Sequence, residues 1–133
     1  MRYENCFTRC MVEKIKHFKD LYVWQKAHEL AIKIYKTTAR FPKIELFGLT
    51  NQLRRAATSI TANIAEGMGR GSYPDRLRFY YNSRGSIYEV ESYLVAARDL
   101  EYISISEYNE LLESLDFSRK ILNNFISATQ KQR

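Results

Sequence analysis

The chain has 133 residues, of which 45% are hydrophobic and 14% aromatic, and its formal net charge is +6. This length fits one domain, and this composition excludes a disordered chain and a core that depends on disulfides or a metal. It has no apolar run of about 18 residues, which excludes a membrane-spanning helix, and its charged first twenty residues leave no room for a signal peptide. We therefore expect a cytoplasmic protein without membrane contact.

Residues 1–17 show no clean apolar period and are predicted to be a flexible or accessory arm before a folded domain at 18–130. Both cysteines, Cys6 and Cys10, lie in this arm. Together with His17 they match no compact zinc spacing. We therefore expect no metal site, no other cofactor and reduced thiols.

The first predicted helix spans about residues 21–40, with Asp20 as its N-cap. Apolar residues recur every three to four positions along it and form one stripe. The stripe comprises Leu21, Trp24, Ala27, Leu30, Ala31, Ile34 and Tyr35. Pro42 follows Phe41 and ends this helix, because the residue before a proline avoids the helical conformation.

The second predicted helix spans about residues 50–66, with Thr50 as its N-cap and Gly67 as the residue that stops it. Its stripe comprises Leu53, Ala56, Ala57, Ile60 and Ile64. The following "GMGRGS" lacks the lysine of a P-loop and follows no strand, which favours a tight turn between helices. An anion site at the start of the next helix, beside Arg70, is the alternative.

The third and fourth predicted helices span about residues 73–100 and 105–129, and their N-caps are Ser72 and Ser104. The third helix carries two apolar stripes, so we expect it to be buried on more than one side. Four amphipathic helices with short loops predict an all-α fold, an antiparallel up-down four-helix bundle.

Basic residues are concentrated in the first half of the chain. Residues 1–71 have a net charge of +7 and residues 72–133 of −1. A basic half suggests a polyanionic partner, although lysine and arginine also solvate ordinary helix faces. The candidate phosphate-binding residues lie on the first two helices and are Lys26, Lys33, Lys36, Arg40, Arg54 and Arg55.

No catalytic residues are predicted, and we expect no enzyme. His17 lies in the irregular arm, and His28 lies next to the apolar stripe of the first helix, where we expect it to be partly buried or at an interface. Tyrosines on the third helix lie near arginines, and such pairs either stack nucleobases or mark a protein interface.

The stretch "RRAATSITANIAEG" at residues 54–67 combines small and polar residues in an apolar helix. We expect the Asn63 amide to bond to a neighbouring helix or loop. Glu66 requires a partner because a helix C-terminus disfavours a carboxylate, and an arginine such as Arg84, or loop N–H groups, would supply it. Of Arg54 and Arg55, one is expected to brace a subunit contact while the other meets solvent or phosphate.

This stretch, with "FKDLYVWQKAHELAIKIY" and "RFYYNSRGSIYEVESYL", resembles the bacterial four-helix-bundle family encoded in intervening sequences of 23S rRNA genes, often labelled ribosomal S23. The family also resembles the accessory protein of diversity-generating retroelements, which works with a reverse transcriptase and is thought to bind nucleic acid. The resemblance implies a bundle that assembles into a ring, with a homopentamer expected. Many relatives have proline where this chain has Thr61.

Charge and resemblance together lead us to expect a non-enzymatic oligomer that binds RNA or DNA through basic surfaces. The alternative is a structural or scaffold ring that binds a protein partner without touching nucleic acid.

Overall fold

A computed structural model describes residues 17–132 of the chain. All the regular structure in this range is helical, and four α-helices dominate it. They are α1 (Tyr22–Thr38), α2 (Leu49–Met68), α3 (Tyr73–Asp99) and α4 (Ile105–Gln130). Short 3-10 turns precede α1 (Phe18–Asp20) and interrupt the connection between α1 and α2 (Lys43–Glu45). Of the predicted arm at residues 1–17, only residue 17 is among the described residues, and Cys6 and Cys10 lie outside them.

The helices form the predicted antiparallel up-down bundle. Both α1 and α3 pack against α2 and α4, so each helix has two main neighbours. The connectors at residues 39–48 and 100–104 meet at one end of the bundle, which we call the distal end. Residue 17, the connector at residues 69–72 and the end of α4 lie at the opposite end, which we call the proximal end.

The predicted stripes fill most of the core, as expected from their helical period. The fully enclosed members include Leu30, Ile34, Leu53, Ile60, Ile64, Ile87, Leu94, Leu115 and Leu122. Tyr35 is exposed although the predicted α1 stripe includes it, and the α3 residues Tyr81 and Tyr88, which the pattern also assigns to an apolar stripe, are exposed as well. Each helix has only two main neighbours, and the outer flanks that carry these three tyrosines remain open.

Two predicted N-caps are wrong, by one residue for α1 and by two residues for α2. Leu21, not Asp20, is the N-cap of α1, and Asp20 belongs to the preceding 3-10 turn. Gly48, not Thr50, is the N-cap of α2, and Thr50 is buried in its first turn. A side chain from the preceding turn replaces the missing cap, because Oε1 of Glu45 accepts a 3.5 Å hydrogen bond from the backbone N of Leu49. The end of α1 at Thr38 also falls short of the predicted residue 40.

The starts of α3 and α4 confirm the predicted caps. The Ser72 hydroxyl accepts from the backbone N of Asp75, and Ser104 forms a reciprocal capping box with Glu107. The end of α3 is less usual, because Glu101 takes the left-handed position (φ 60°) that helix ends commonly give to glycine. The N–H groups of Glu101 and Tyr102 donate to the carbonyls of Arg98 and Ala97, which completes a Schellman motif.

The prediction that Gly67 stops α2 is wrong. Gly67 is a buried residue inside the helix, which continues to Met68. A Cβ atom at this position would lie 2.5 Å from Cε1 of Tyr80, closer than van der Waals contact allows. The glycine therefore permits the close approach of α3 to α2 and does not end the helix.

Candidate nucleic-acid interface

Three of the candidate cations form a row that runs along one flank of α1 and into the turn that follows it. Lys26 and Lys33 lie seven residues apart on one helix face, about 10.5 Å along the axis, and Arg40 follows in the turn after α1. Each has a partner: Lys26 Nζ lies 3.1 Å from Glu29 Oε2, and Lys33 Nζ donates to Ser114 Oγ at 2.7 Å. Arg40 pairs with Glu107 at the start of α4. The row therefore faces the groove between α1 and α4.

Lys36 lies beside this row, one turn beyond Lys33, and is exposed. Within residues 17–132 it has no ion-pair or hydrogen-bond partner for its ammonium group. Lys33 is held only by a neutral hydroxyl, so no carboxylate cancels its charge. The middle of the row is therefore the part where positive charge stays available to a phosphate.

Arg54 does not reach this surface. Its Nε donates to Thr38 Oγ1 at 2.8 Å, and one terminal nitrogen donates to the Tyr35 carbonyl at 3.3 Å. The guanidinium carbon also lies 4.7 Å from the centre of the Tyr35 ring. These contacts brace α1 against α2 and occupy the cation inside the protomer.

Arg55 points elsewhere, because successive helix residues are about 100° apart. It is exposed, and within the described residues its side chain makes no ion pair or hydrogen bond. In the protomer Arg54 braces α1 against α2 and Arg55 is exposed, while the expected subunit contact of one of the two stays a prediction. The six candidate cations nevertheless do not meet in one patch.

Asn63 bonds within its own helix, contrary to the prediction. Its amide donates to the backbone oxygen and the hydroxyl of Ser59, one turn earlier, at 2.8 and 3.1 Å. The Ser59 hydroxyl in turn accepts from Ser86 on α3 at 2.9 Å. A second α3 serine, Ser83, donates to the Ile60 carbonyl at 2.8 Å. Small hydroxyl residues, and not the amide, therefore link α2 to α3.

Glu66 has an arginine partner, as predicted, but the partner is Arg70 and not Arg84. Arg70 lies one turn later, and its terminal nitrogen is 2.9 Å from Glu66 Oε1. The same guanidinium lies 4.6 Å from the centre of the Phe79 ring. Arg84 instead faces α4, where it donates to Asn123 at 3.4 Å. Because Glu66 already neutralises Arg70, the anion-site alternative at this turn loses its principal cation.

Two arginine–tyrosine pairs line the groove between α3 and α4. The Arg84 guanidinium lies 5.2 Å from the Tyr81 ring centre, and that of Arg119 lies 4.9 Å from the Tyr88 ring centre. Arg119 is also paired with Glu91 and Asp116, at 2.6 and 3.2 Å. Sequence reasoning missed Arg119, although its place next to the buried Ser118 indicates a position at the edge of the core. Carboxylates make this groove a poor site for phosphates.

The histidines offer no catalytic pair. His28 is exposed and not partly buried, and its ring stacks on Trp24 with centroids 4.7 Å apart and planes 9° apart. His17 contacts Phe18 at the proximal end. Within residues 17–132, no three His, Cys, Asp or Glu side chains are grouped to hold a metal ion. In that same range no helix is long and apolar enough to cross a bilayer.

The shifted pKa values also move away from neutrality. Burial raises the pKa of Tyr80 to about 12, and a hydrogen bond to Glu45 raises the pKa of Tyr102. Hydrogen bonding to Arg40 lowers the pKa of the Glu107 carboxyl. General acid–base catalysis needs groups whose pKa lies near the working pH. These shifts are those of structural contacts.

The fold and its surfaces define a four-helix-bundle protein whose basic residues are spread over separate helix flanks. Residues 19–124 match the family described as 23S rRNA-intervening sequence protein, and the chain belongs to this family. It is also similar to a solved protein of unknown function from the S23 ribosomal protein family of Bacteroides thetaiotaomicron VPI-5482. That match has 27% identity and a TM-score of 0.70, and it covers 78% of this chain and 97% of the other. No curated protein matches the sequence.

Proposed function

We propose that this protein is a non-enzymatic oligomer of the cytoplasm that binds RNA or DNA through the α1 flank. The observation that carries the proposal is the pair Lys33 and Lys36, which are exposed cations on one helix without a neutralising carboxylate. Each contributes a phosphate contact in this proposal. Arg55 adds a further exposed cation on α2.

The α1 flank can present several cations to one polyanion, because the phosphates of a duplex recur about every 3.4 Å per strand along its axis. Lys26 and Arg40 would join the contact by exchanging Glu29 and Glu107 for phosphates. Exposed ion pairs contribute little stability, so this exchange costs little.

Assembly of several protomers would strengthen a patch that is weak in one copy. The family resemblance supports a ring, for which five subunits are expected. Each added subunit contributes contacts to the same polyanion, and the second contact is made at high effective concentration. A modest number of free cations per chain is then sufficient for useful affinity.

The test is to measure binding of duplex RNA and duplex DNA over a range of salt concentrations. We expect affinity to fall steeply with salt, and the double variant K33A/K36A to reduce the salt slope by about two. Lys120 on α4 and Lys131 directly after its end are both exposed, so K120A/K131A is the matched control for the change in charge. Binding that is negligible at low salt, flat with salt, or equally weakened by the control would overturn the proposal.

A scaffold that binds a protein partner is the second candidate. The exposed Tyr81 and Tyr88 favour it, since tyrosine is enriched at protein interfaces and carboxylates surround this groove. Capture of partners from native lysate, with and without nuclease, distinguishes the two functions. A partner that survives nuclease and depends on Tyr88 supports the scaffold, whereas loss of all partners on nuclease treatment supports nucleic-acid binding.

A further inference from the structure

The distal end of the bundle exposes an unusual amount of apolar surface. Phe47 is 91% exposed and Ile44 is 88% exposed, both in the connector between α1 and α2. The second connector and the start of α4 add Leu100 at 53% and Ile105 at 70%. Single exposed apolar residues are ordinary, but a group of them at one end marks an interaction surface.

The two connectors are fixed to each other, so this surface is preformed. The Tyr102 hydroxyl donates to Glu45 Oε2 at 2.9 Å, and the Tyr102 ring packs on Phe41 with centroids 5.5 Å apart. Arg40 and Glu107 pair across the same end. A rigid surface loses little conformational entropy when it is covered.

The distal end differs from the chain as a whole in its net charge. It carries the cations Arg40, Lys43 and Arg98 against the anions Glu45, Asp99, Glu101 and Glu107. The distal end is therefore close to neutral, although the whole chain has a charge of +6. An anionic membrane or a nucleic acid would gain little electrostatic attraction here, while two copies could meet without repulsion.

We propose that the distal end pairs with the distal end of a second copy of this chain, around a two-fold axis. Phe47, Ile44, Leu100 and Ile105 form the apolar centre of the interface. A phenylalanine of this exposure supplies on the order of 150–200 Å². With three further large aliphatic side chains and the polar rim, the end approaches the roughly 800 Å² per partner of a standard interface.

The unpaired charges of this end are self-complementary. Lys43 and Glu101 lie on different connectors, both are exposed, and within residues 17–132 neither side chain has an ion-pair partner. With the two-fold axis between the two connectors, Lys43 of one chain faces Glu101 of the partner copy, and symmetry then repeats the same contact on the other side. This arrangement places two ion pairs at the rim and the apolar residues between them.

The pairing is tested by the mass of the full chain in solution, measured by sedimentation velocity from low to high micromolar concentration. We expect ten chains where the five-membered ring also forms and two where it does not, with half of that mass for F47D and for I44D; five chains that F47D leaves unchanged would show the ring without the pairing. Both side chains are almost fully exposed, so both variants keep the fold, which helical circular dichroism checks. Y73D is the matched control, because Tyr73 is an exposed aromatic residue at the proximal end. The assembly formed by Y73D is expected to have the wild-type mass.

Charge exchange tests the two-fold arrangement separately. K43E and E101K should each weaken the pairing about three- to tenfold, and the double variant should restore it. The proposal is overturned if F47D and I44D have the same assembly mass as the wild type. It is also overturned if Y73D lowers the assembly mass as much as they do. Failure of the double variant to restore pairing also overturns it. Nucleic-acid binding by F47D is expected to persist per chain, so this proposal can fail independently of the proposed function.

Discussion

Gly67 and Gly85 are two glycines inside helices with opposite surroundings. A Cβ at Gly67 would strike the Tyr80 ring, and the Phe125 ring, 4.7 Å from it between centroids, holds Tyr80 in place. A Cβ at Gly85 would meet no atom within 4 Å. The same residue type therefore has a packing role in α2 and none inside the protomer in α3.

Gly67→Ala is expected to destabilise the protein by about 1–3 kcal/mol, because the added methyl group overpacks the α2–α3 contact. Gly85→Ala should instead stabilise it by about 0.5–1 kcal/mol, because alanine restricts the unfolded chain and favours a helix. Urea unfolding of both variants measures the two free energies. Equal effects of the two substitutions would contradict this account of Gly67.

Tyr80 couples the stability of the fold to alkaline pH. Its folded pKa of about 12 lies above the ordinary tyrosine pKa of 10.0, because burial disfavours the phenolate. A raised folded pKa contributes stability that is complete below pH 10 and is lost as the pH rises towards 12. The loss is on the order of 2–3 kcal/mol.

Thermal or urea unfolding between neutral pH and pH 12 measures this loss. Tyr80→Phe should flatten the alkaline part of the stability curve, because it removes the group that titrates. The exposed Tyr88 provides the control, and Tyr88→Phe should keep the wild-type steepness. A curve for Tyr80→Phe as steep as the wild type would refute the assignment to Tyr80.

At the scale of the elements, α3 ends at a backbone position that favours glycine but is occupied by Glu101. Glu101 occupies the left-handed position of a Schellman motif, where a side chain costs energy that glycine avoids. Glu101→Gly is therefore expected to raise the free energy of unfolding by about 0.5–1 kcal/mol, net of the greater freedom of glycine in the unfolded chain. Denaturant unfolding at low protein concentration measures it, and Glu101→Ala, which stays strained, should show no such gain.

Helix starts show what the sequence could and could not predict at this scale. Ser72 and Ser104 were predictable because the cap and its bonded backbone group lie three residues apart. The start of α2 was not, because its capping oxygen belongs to Glu45 in a preceding turn. The end of α2 was missed for a similar reason, since only the position of Tyr80 explains Gly67. Contacts between elements decided both cases.

At the scale of the whole molecule, the bundle followed from four apolar stripes, whose period is a local property of the chain. The surface was harder to predict. Arg54 and Lys36 both looked like phosphate ligands, yet only the packing of α1 on α2 turns Arg54 onto Thr38 and leaves Lys36 exposed. A side chain's neighbours across a groove decide whether its charge is available, and helical periodicity alone does not specify them.

An even number of antiparallel helices brings residue 17 and the last turn of α4 to the proximal end. A short flexible linker between them would allow circular permutation, with new termini opened near Phe47 in the connector at residues 39–48. Such a permutant would retain all four helices, but its free ends would lie on the distal surface. It would separate pairing through that surface from bundle stability while every side chain of the four helices is kept.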